Sequence, residues 1–221
     1  LVDALPAHKR TVAFDRLVQL LRRRGRLQAG YPGTYALMDV LVDGGRADLA
    51  HRLLAASGVP SWRYAVQRGA TTFWERWDSL LADGSLNPGD MLSFNHPVFS
   101  SIVDWMHRRI GGLAPAAPGY RRVRVAPLPG GGITWASTRH DCPYGRISVS
   151  WRIAEGEFRL DVTIPPGVEA EVQLPGDQRV HTVGSGSHTF GREAGRLPVD
   201  VDAGPWGAHE HVAAPSGPGG H

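Results

Sequence analysis

The hydrophobic periodicity of this 221-residue chain changes once, across the proline- and glycine-bearing stretch 115–119. Before that stretch, apolar residues recur at spacings of three and four, which is the period of an amphipathic helix. After it, short runs alternate apolar and polar residues, which is the period of a strand with one buried face. The sequence therefore predicts an α + β fold in two parts, with a helical region at 1–112 and a β-rich region at 113–206.

The helical part shows four predicted helices. In the first, Phe14, Leu17 and Leu21 line one face, and Gly25 is expected to end the helix. In the last, Ile102, Trp105 and Met106 are expected to share a face. The four helices are predicted over residues 6–24, 34–42, 46–56 and 97–110. Helices joined by glycine-bearing loops are typical of a helical bundle or of part of an α/α toroid.

The second part predicts seven short strands separated by glycine and proline turns. Alternation is clearest over residues 146–151 and 158–164. The predicted strands cover residues 121–126, 133–137, 146–153, 158–164, 170–174, 181–183 and 188–190. Short strands at this spacing favour an antiparallel β-sandwich. The Gly-, Pro-, His- and Ala-rich tail at 207–221 is predicted to be disordered.

Charge and composition exclude several partners. The formal net charge is only +3, the basic residues are scattered, and the densest run is residues 22–24 at a predicted helix end. No basic stripe interleaved with aromatics is present, so we expect no nucleic-acid partner. No run approaches the roughly 20 apolar residues of a membrane span. We therefore expect no membrane association, and the lack of a signal peptide in the chain favours the cytoplasm.

Neither a disulfide nor a metal centre is predicted. Cys142 is the only cysteine, so an intrachain disulfide is impossible. His209 and His211 lie in the tail without the further ligands that a metal cage needs. His140 and Cys142 could suggest a nucleophilic pair, but they are predicted on a turn with no companion base. We expect no metal and no cofactor.

The block around Glu75 is the strongest candidate for chemistry. Trp74 and Trp77 flank the carboxylate. Sugars present apolar C–H faces and polar hydroxyl edges, and indole rings beside a carboxylate match both. The rings also lower the local polarity, which favours proton transfer. The structural alternative is that Glu75 pairs with an arginine such as Arg76 while the tryptophans fill core, and composition alone leaves both open.

Three further features have local interpretations. His96 precedes the last predicted helix and could donate to a ligand hydroxyl, although a lone histidine is often structural. Asn95 is expected to cap that helix. Asp39 and Asp43 are expected to solvate the second helix or cap its end. The loop at 28–34 opens that helix and matches no nucleotide motif, so capping is the favoured interpretation.

Several of these blocks together resemble a known family. Their order along the chain is similar to that in bacterial α-L-rhamnosidases, and the resemblance continues past the linker through 143–147 to Trp151. The block around Glu75 is its most specific part. The blocks in the helical part are Gly-Tyr-Pro-Gly-Thr at 30–34, Gly-Arg-Ala-Asp-Leu-Ala at 45–50, Pro-Ser-Trp at 60–62, Gly-Ala-Thr-Thr at 69–72, Trp-Glu-Arg-Trp at 74–77 and Asn-His at 95–96.

The resemblance implies a fold and a mechanism. The family's catalytic domain is an (α/α)6 barrel followed by a β-sandwich, and the family hydrolyses α-L-rhamnosides with inversion. By this resemblance Glu75 is the general base, His96 lines the rhamnose site, and Trp74 and Trp77 shape the pocket. Inversion also requires a general acid, with the two carboxyl groups about 6.5–9.5 Å apart. In the family that acid lies far upstream.

The chain is accordingly expected to be the C-terminal fragment of such an enzyme. Its helical half is too short for twelve helices, and it begins at Leu1 in the run-up to a helix. The implied partners are rhamnose-containing glycosides and a missing N-terminal part, without which the chain is expected to be inactive. The alternatives are a non-catalytic carbohydrate-binding or scaffold remnant, or a β-sandwich sugar-binding module.

Overall fold

The computed structural model describes residues 5–27 and 29–193. The first three predicted helices are confirmed, although α2 begins three residues earlier than predicted. Helix α4 escaped prediction because six residues are too few to show a helical period. The α-helices before residue 97 are α1 (Ala7–Arg24), α2 (Tyr31–Asp43), α3 (Ala47–Ala55) and α4 (Trp62–Gln67).

The last predicted helix is divided into three turns of different pitch. A 3-10 turn (Pro97–Phe99) leads into α5 (Ser101–Trp105), which continues as a π turn (Met106–Ile110). Ile102 and Trp105 are buried as predicted, but Met106 is 40% exposed. That part of the prediction is wrong because the π turn bonds i to i+5 and rotates the following residues off the 3.6-residue face.

Helix α2 is at the centre of the helical half and contacts α3, α5 and the 3-10 turn. Its polar side is held by ion pairs. Asp39 accepts from Arg108 at 2.8 Å and from Arg109 at 2.8 Å, and Arg109 also reaches Asp43 at 2.8 Å. The expectation that Asp39 solvates or caps α2 is therefore wrong, whereas Asp43 is 66% exposed at the end of the helix. Burial alone would raise the pKa of Asp39, but hydrogen bonds from the two arginines hold it below its usual value.

The β half contains two four-stranded sheets. Strands β1, β2, β6 and β7 form the first in that order, and β3, β4, β5 and β8 form the second. All pairs are antiparallel except β2 with β6, which are parallel. The sandwich is therefore not wholly antiparallel, because the chain leaves the first sheet after β2 and returns to it at β6. The strands are β1 (Leu113–Pro115), β2 (Arg122–Val125), β3 (Trp135–Cys142), β4 (Gly145–Ala154), β5 (Glu157–Ile164), β6 (Glu169–Gln173), β7 (Val180–Val183) and β8 (Gly186–Glu193).

Two local strand assignments differ from the prediction. Strand β1 falls partly in the predicted linker, since a three-residue strand ending in proline has no readable alternation. Strand β3 runs on to Cys142, so His140 and Cys142 lie on a strand and the turn is at Pro143 and Tyr144. The ring of His140 stacks on Tyr120 at 3.7 Å, and Cys142 Sγ donates to the Gly145 carbonyl, so both side chains make structural contacts.

Helices and sheets share one hydrophobic core. The indole Nε1 of Trp151 donates to the Ile110 carbonyl at 2.7 Å, and the Leu128 N–H donates to the Arg109 carbonyl at 2.9 Å. Gly112, with φ +83°, makes the turn between the halves, and a Cβ there would lie 2.6 Å from the Pro127 nitrogen. These contacts hold the β half directly against the end of the last helix.

The proposed division into separate units at 1–112 and 113–206 remains a prediction. The predicted tail at 207–221, with His209 and His211, lies outside the described residues. Over residues 5–27 and 29–193, no His, Cys, Asp and Glu group has a metal-binding arrangement. Within the same residues, no helix combines the length and the apolar character that a membrane crossing requires.

Candidate active site

Two loop segments bring Glu75 and His96 side by side. The Glu75 N–H donates to the Ser93 carbonyl at 2.8 Å, and the His96 N–H donates to the Phe73 carbonyl at 2.8 Å. The Thr72 hydroxyl adds a hydrogen bond to the Phe94 carbonyl. Because the two segments are joined by backbone hydrogen bonds, residues about 20 positions apart lie next to each other without forming a regular strand.

One oxygen of the Glu75 carboxylate accepts a backbone hydrogen bond, and the other faces His96. Oε2 accepts the Ser93 N–H at 3.1 Å, which fixes the plane of the group. Oε1 lies 3.9 Å from His96 Nε2. The Glu75 side chain is only 14% exposed, whereas that of His96 is 35% exposed. A carboxylate oriented by a backbone donor, with its other oxygen free of hydrogen bonds to the protein, can accept a proton from a water bound at that oxygen.

The backbone determines which nitrogen of His96 carries the proton. Nδ1 accepts the Val98 N–H at 3.2 Å and so cannot bear a hydrogen in the neutral ring. Nε2 is then the donor, and it is the nitrogen that faces Glu75. This contact also makes His96 the cap of the 3-10 turn. The expectation that Asn95 caps it is wrong, because the Val98 N–H is already taken by the ring of His96, which occupies the N-cap position.

Trp77 packs behind the loop that carries Glu75. Its ring stacks on Phe99 at a centroid distance of 3.6 Å and meets Trp62 edge-on at 5.3 Å. Trp62 Nε1 donates to the Phe99 carbonyl at 3.0 Å. These rings connect the Glu75 loop to the hydrophobic core and hold it in place.

Trp74 is 5% exposed and contacts Phe94 edge-on at 5.3 Å, so it packs the Glu75 segment against the His96 segment. Arg76 forms an ion pair with Asp78 at 3.2 Å and donates a hydrogen bond to the Asp90 carbonyl at 3.3 Å. The alternative in which Glu75 is neutralised by Arg76 therefore fails, whereas the expected core packing of the tryptophans is observed.

Tyr31 is a contributor that the site prediction missed. Its hydroxyl donates to the Glu75 carbonyl at 3.2 Å, and its ring lies 6.3 Å from His96 and edge-on to Phe99 at 5.5 Å. Tyr31 is the first residue of α2, so the N-terminus of this helix lies against the loop that carries Glu75. The signal for Tyr31 in the sequence is the Gly-Tyr-Pro-Gly block at 30–33, which by itself favours a helix cap.

Models of two known protein domains match the helical half and the β half of the chain. A sequence model of the bacterial alpha-L-rhamnosidase 6 hairpin glycosidase domain matches residues 1–110, and one of the bacterial alpha-L-rhamnosidase C-terminal domain matches residues 112–189. The first places the helical half in a class of glycosidases built from helical hairpins. The chain belongs to the bacterial α-L-rhamnosidase family.

Individual relatives support the same conclusion. The alpha-L-rhamnosidase of Streptomyces avermitilis is 39% identical over 86% of this chain and 20% of its own length. One from Formosa agariphila is 40% identical over 79% of this chain and 19% of its own length. The chain thus spans about a fifth of the length of these curated relatives.

Solved structures of the family have the same fold over the shared region. The Streptomyces avermitilis enzyme, solved with L-rhamnose, superposes with a TM-score of 0.81 at 38% identity, over 86% of this chain and 20% of that one. The native Aspergillus terreus enzyme gives a TM-score of 0.80 at 41% identity, over 84% of this chain and 22% of that one. The predicted fold class of helices followed by a β-sandwich is confirmed.

Proposed function

We propose that Glu75 is the general base in the hydrolysis of terminal α-L-rhamnosides with inversion. The observation that carries the proposal is the hydrogen bonding of the carboxylate. Oε2 is fixed by the Ser93 N–H, and Oε1 is directed toward the His96 Nε2–H. A base must hold its water by a hydrogen bond of about 2.6–3.2 Å on the face of the sugar opposite the leaving group. The Oε1 side of Glu75 is the position for that water.

His96 and the two tryptophans have supporting roles in this proposal. The Nε2–H of His96 donates to a hydroxyl of the bound rhamnose, since Nδ1 is occupied by the Val98 N–H. Trp77 and Trp74 shape the pocket by holding the two loop segments together, with their rings packed on Phe99 and Phe94.

The general acid and the remaining walls of the sugar site come from residues outside this chain. The relatives are about five times longer, and the resemblance places the acid upstream. Apolar side chains on the helices also remain open to solvent, as expected where further barrel helices would pack. The exposed examples on the helices are Val12, Leu20, Tyr35, Val40, Val66 and Val103.

The experiment is a Glu75→Gln substitution in the full-length protein, assayed on an aryl α-L-rhamnoside. Gln keeps the shape and the Ser93 contact but cannot take a proton. We expect kcat to fall by about 10²–10⁴-fold with little change in KM. Azide should restore part of the turnover and give a rhamnosyl azide of β configuration, because the anion takes the place of the activated water.

Asp90→Asn is the matched control, since Asp90 is an exposed carboxylate near the same loop whose contact with Arg76 is through its backbone carbonyl. It should retain normal kcat. Near-normal turnover of Glu75→Gln would show that the base is another group. The 221-residue chain assayed by itself should show no turnover, because no general acid protonates the leaving oxygen.

A further inference from the structure

The outer face of the second sheet carries an exposed tryptophan that the proposed catalytic site does not use. Trp135 is the first residue of the edge strand β3 and is 69% exposed. It borders a shallow cavity of about 420 Å³ on this face. The residues lining the cavity are Trp135, Ala136, Ser137, Ser150, Trp151, Arg152, Arg159 and Asp161.

Strand register places these side chains in two adjacent rows. Trp135 pairs with Arg152, which pairs with Arg159 on β5. In the neighbouring row, Ser137 pairs with Ser150, and Ser150 pairs with Asp161. Residues two apart on a strand lie on the same face, so both rows point outward. The result is an indole beside two guanidinium groups, with hydroxyls and a carboxylate next to them.

The charges on this face are not balanced. Arg152 and Arg159 are directly opposite each other, an arrangement in which like charges repel. Arg159 is neutralised by Asp161 at 3.1 Å, and Asp161 also accepts from the Thr189 hydroxyl at 2.7 Å. Arg152 makes no hydrogen bond or ion pair with any residue in the described part of the chain. One positive charge beside the indole is therefore available to an anion.

We propose that this face is a non-catalytic site for a pyranose sugar that carries a carboxylate. The indole of Trp135 takes the apolar C–H face of the ring, because an exposed indole offers a flat apolar surface with a polar edge. Arg152 binds the carboxylate, for which a planar guanidinium is the matching donor. Ser137 and Ser150 are within the same cavity and bind ring hydroxyls.

Charge is what selects this ligand over a neutral sugar. A neutral pyranose would satisfy the indole and the serines but would leave Arg152 without a hydrogen-bonded carboxylate, with Arg159 opposite it and only a longer-range attraction to Asp161. The proposal does not depend on Glu75, which lies in the helical half, so the two sites can be tested separately.

The test is an NMR titration of the 221-residue chain with D-glucuronate, with D-glucose as the matched neutral sugar and acetate as the matched carboxylate. Loss of one indole cross-peak in Trp135→Phe assigns the Trp135 signal. We expect D-glucuronate to shift that signal and the amide signals of β3, β4 and β5 in a saturable way. D-glucose and acetate should each bind at least about tenfold more weakly, since each lacks one of the two contacts.

Variants locate the ligand. Arg152→Gln and Trp135→Ala should each weaken D-glucuronate binding by about tenfold or more. Two control variants should leave the affinity within about twofold: Arg139→Gln, at an exposed β3 arginine four residues from Trp135 on the same face, and Tyr144→Ala, at another exposed aromatic residue. All four positions are exposed, so unfolding midpoints should match the parent chain.

Four results would overturn the proposal. If D-glucose bound as tightly as D-glucuronate, the carboxylate would not contribute to binding. If acetate bound as tightly, stacking of the sugar ring on the indole would not contribute. No saturable shift with D-glucuronate, or equal binding by Arg152→Gln and the parent chain, would mean that this face is not a site. Glu75→Gln should bind D-glucuronate like the parent, so failure of the catalytic proposal leaves this test intact.

Discussion

Replacing Trp151 by Phe tests how the two halves of the chain are joined. Trp151 is 3% exposed, and its indole Nε1 donates to the Ile110 carbonyl at 2.7 Å, across the junction between β4 and the last helix. Ile110 is also buried, at 4% exposure. Phe keeps an aromatic ring in the core but removes the donor, so the carbonyl loses this partner in a place where water does not easily replace it.

The expected cost combines two terms. A buried carbonyl deprived of its donor costs about 1–3 kcal/mol. The smaller ring gives up apolar burial worth about 1 kcal/mol. The free energy of unfolding should therefore fall by about 2–4 kcal/mol, which corresponds to a decrease of about 4–16 °C in the unfolding midpoint for a domain of this size.

The measurement is guanidinium unfolding of the 221-residue chain, followed by far-ultraviolet circular dichroism and by tryptophan fluorescence. Trp135→Phe is the control, because it makes the same chemical change on the same sheet at a position that is 69% exposed. It should change the free energy of unfolding by no more than about 0.5 kcal/mol. If Trp151→Phe is as mild as Trp135→Phe, the hydrogen bond to Ile110 does not stabilise the junction.

Three other substitutions test separate features of the structure. Burial lowers the pKa of His51 to about 4, so the stability contributed by its neutral ring is complete above about pH 6.5 and is lost as the pH falls toward 4. His51→Gln should reduce the pH dependence of the unfolding free energy in that window by about 1.4 kcal/mol per pH unit, and an unchanged pH dependence would contradict the lowered pKa of His51. Asp39→Asn should cost about 1–3 kcal/mol in denaturant unfolding, because two partly buried arginines each lose one of their two carboxylate partners. Asp43→Asn, at a side chain that is 66% exposed, should cost less than about 1 kcal/mol. Gly112→Ala should lower the free energy of unfolding by about 2 kcal/mol or more, since φ is +83° and a Cβ would lie 2.6 Å from Pro127. Gly119→Ala should cost only about 1 kcal/mol, because φ is +67° but a Cβ there would have no atom within 4 Å, and equal losses in the two variants would refute the steric argument.

Much of the secondary structure was readable from consecutive residues. The apolar face of α1 and the buried alternation of β4 and β5 follow from local periodicity, and both appear in the structure. Prediction failed where the local signal was short or distorted. Helix α4 has six residues, β1 has three and contains proline, and the π turn moved Met106 off the expected face. In each case the element depends on contacts with other parts of the chain more than on its own period.

The candidate site shows the same division. A carboxylate between two tryptophans was visible in the sequence, as was a histidine ahead of a helix, because both are local patterns. The sequence does not show that the two residues lie close together, since this depends on backbone hydrogen bonds that join Phe73 to His96 and Ser93 to Glu75. Tyr31 likewise reaches Glu75 only because α2 begins beside the loop.

The sequence by itself determined the α + β order of the chain, the glycines that end α1 and α2, and the residue types available for chemistry. Only the tertiary structure decided that β2 and β6 pair in parallel, that Asp39 binds two arginines nearly 70 residues away, and that His96 presents Nε2 to Glu75. The physical reason is that period and turn preference act between neighbours in sequence. Strand pairing, ion pairing and the tautomer of a histidine are instead determined by groups that only folding brings together.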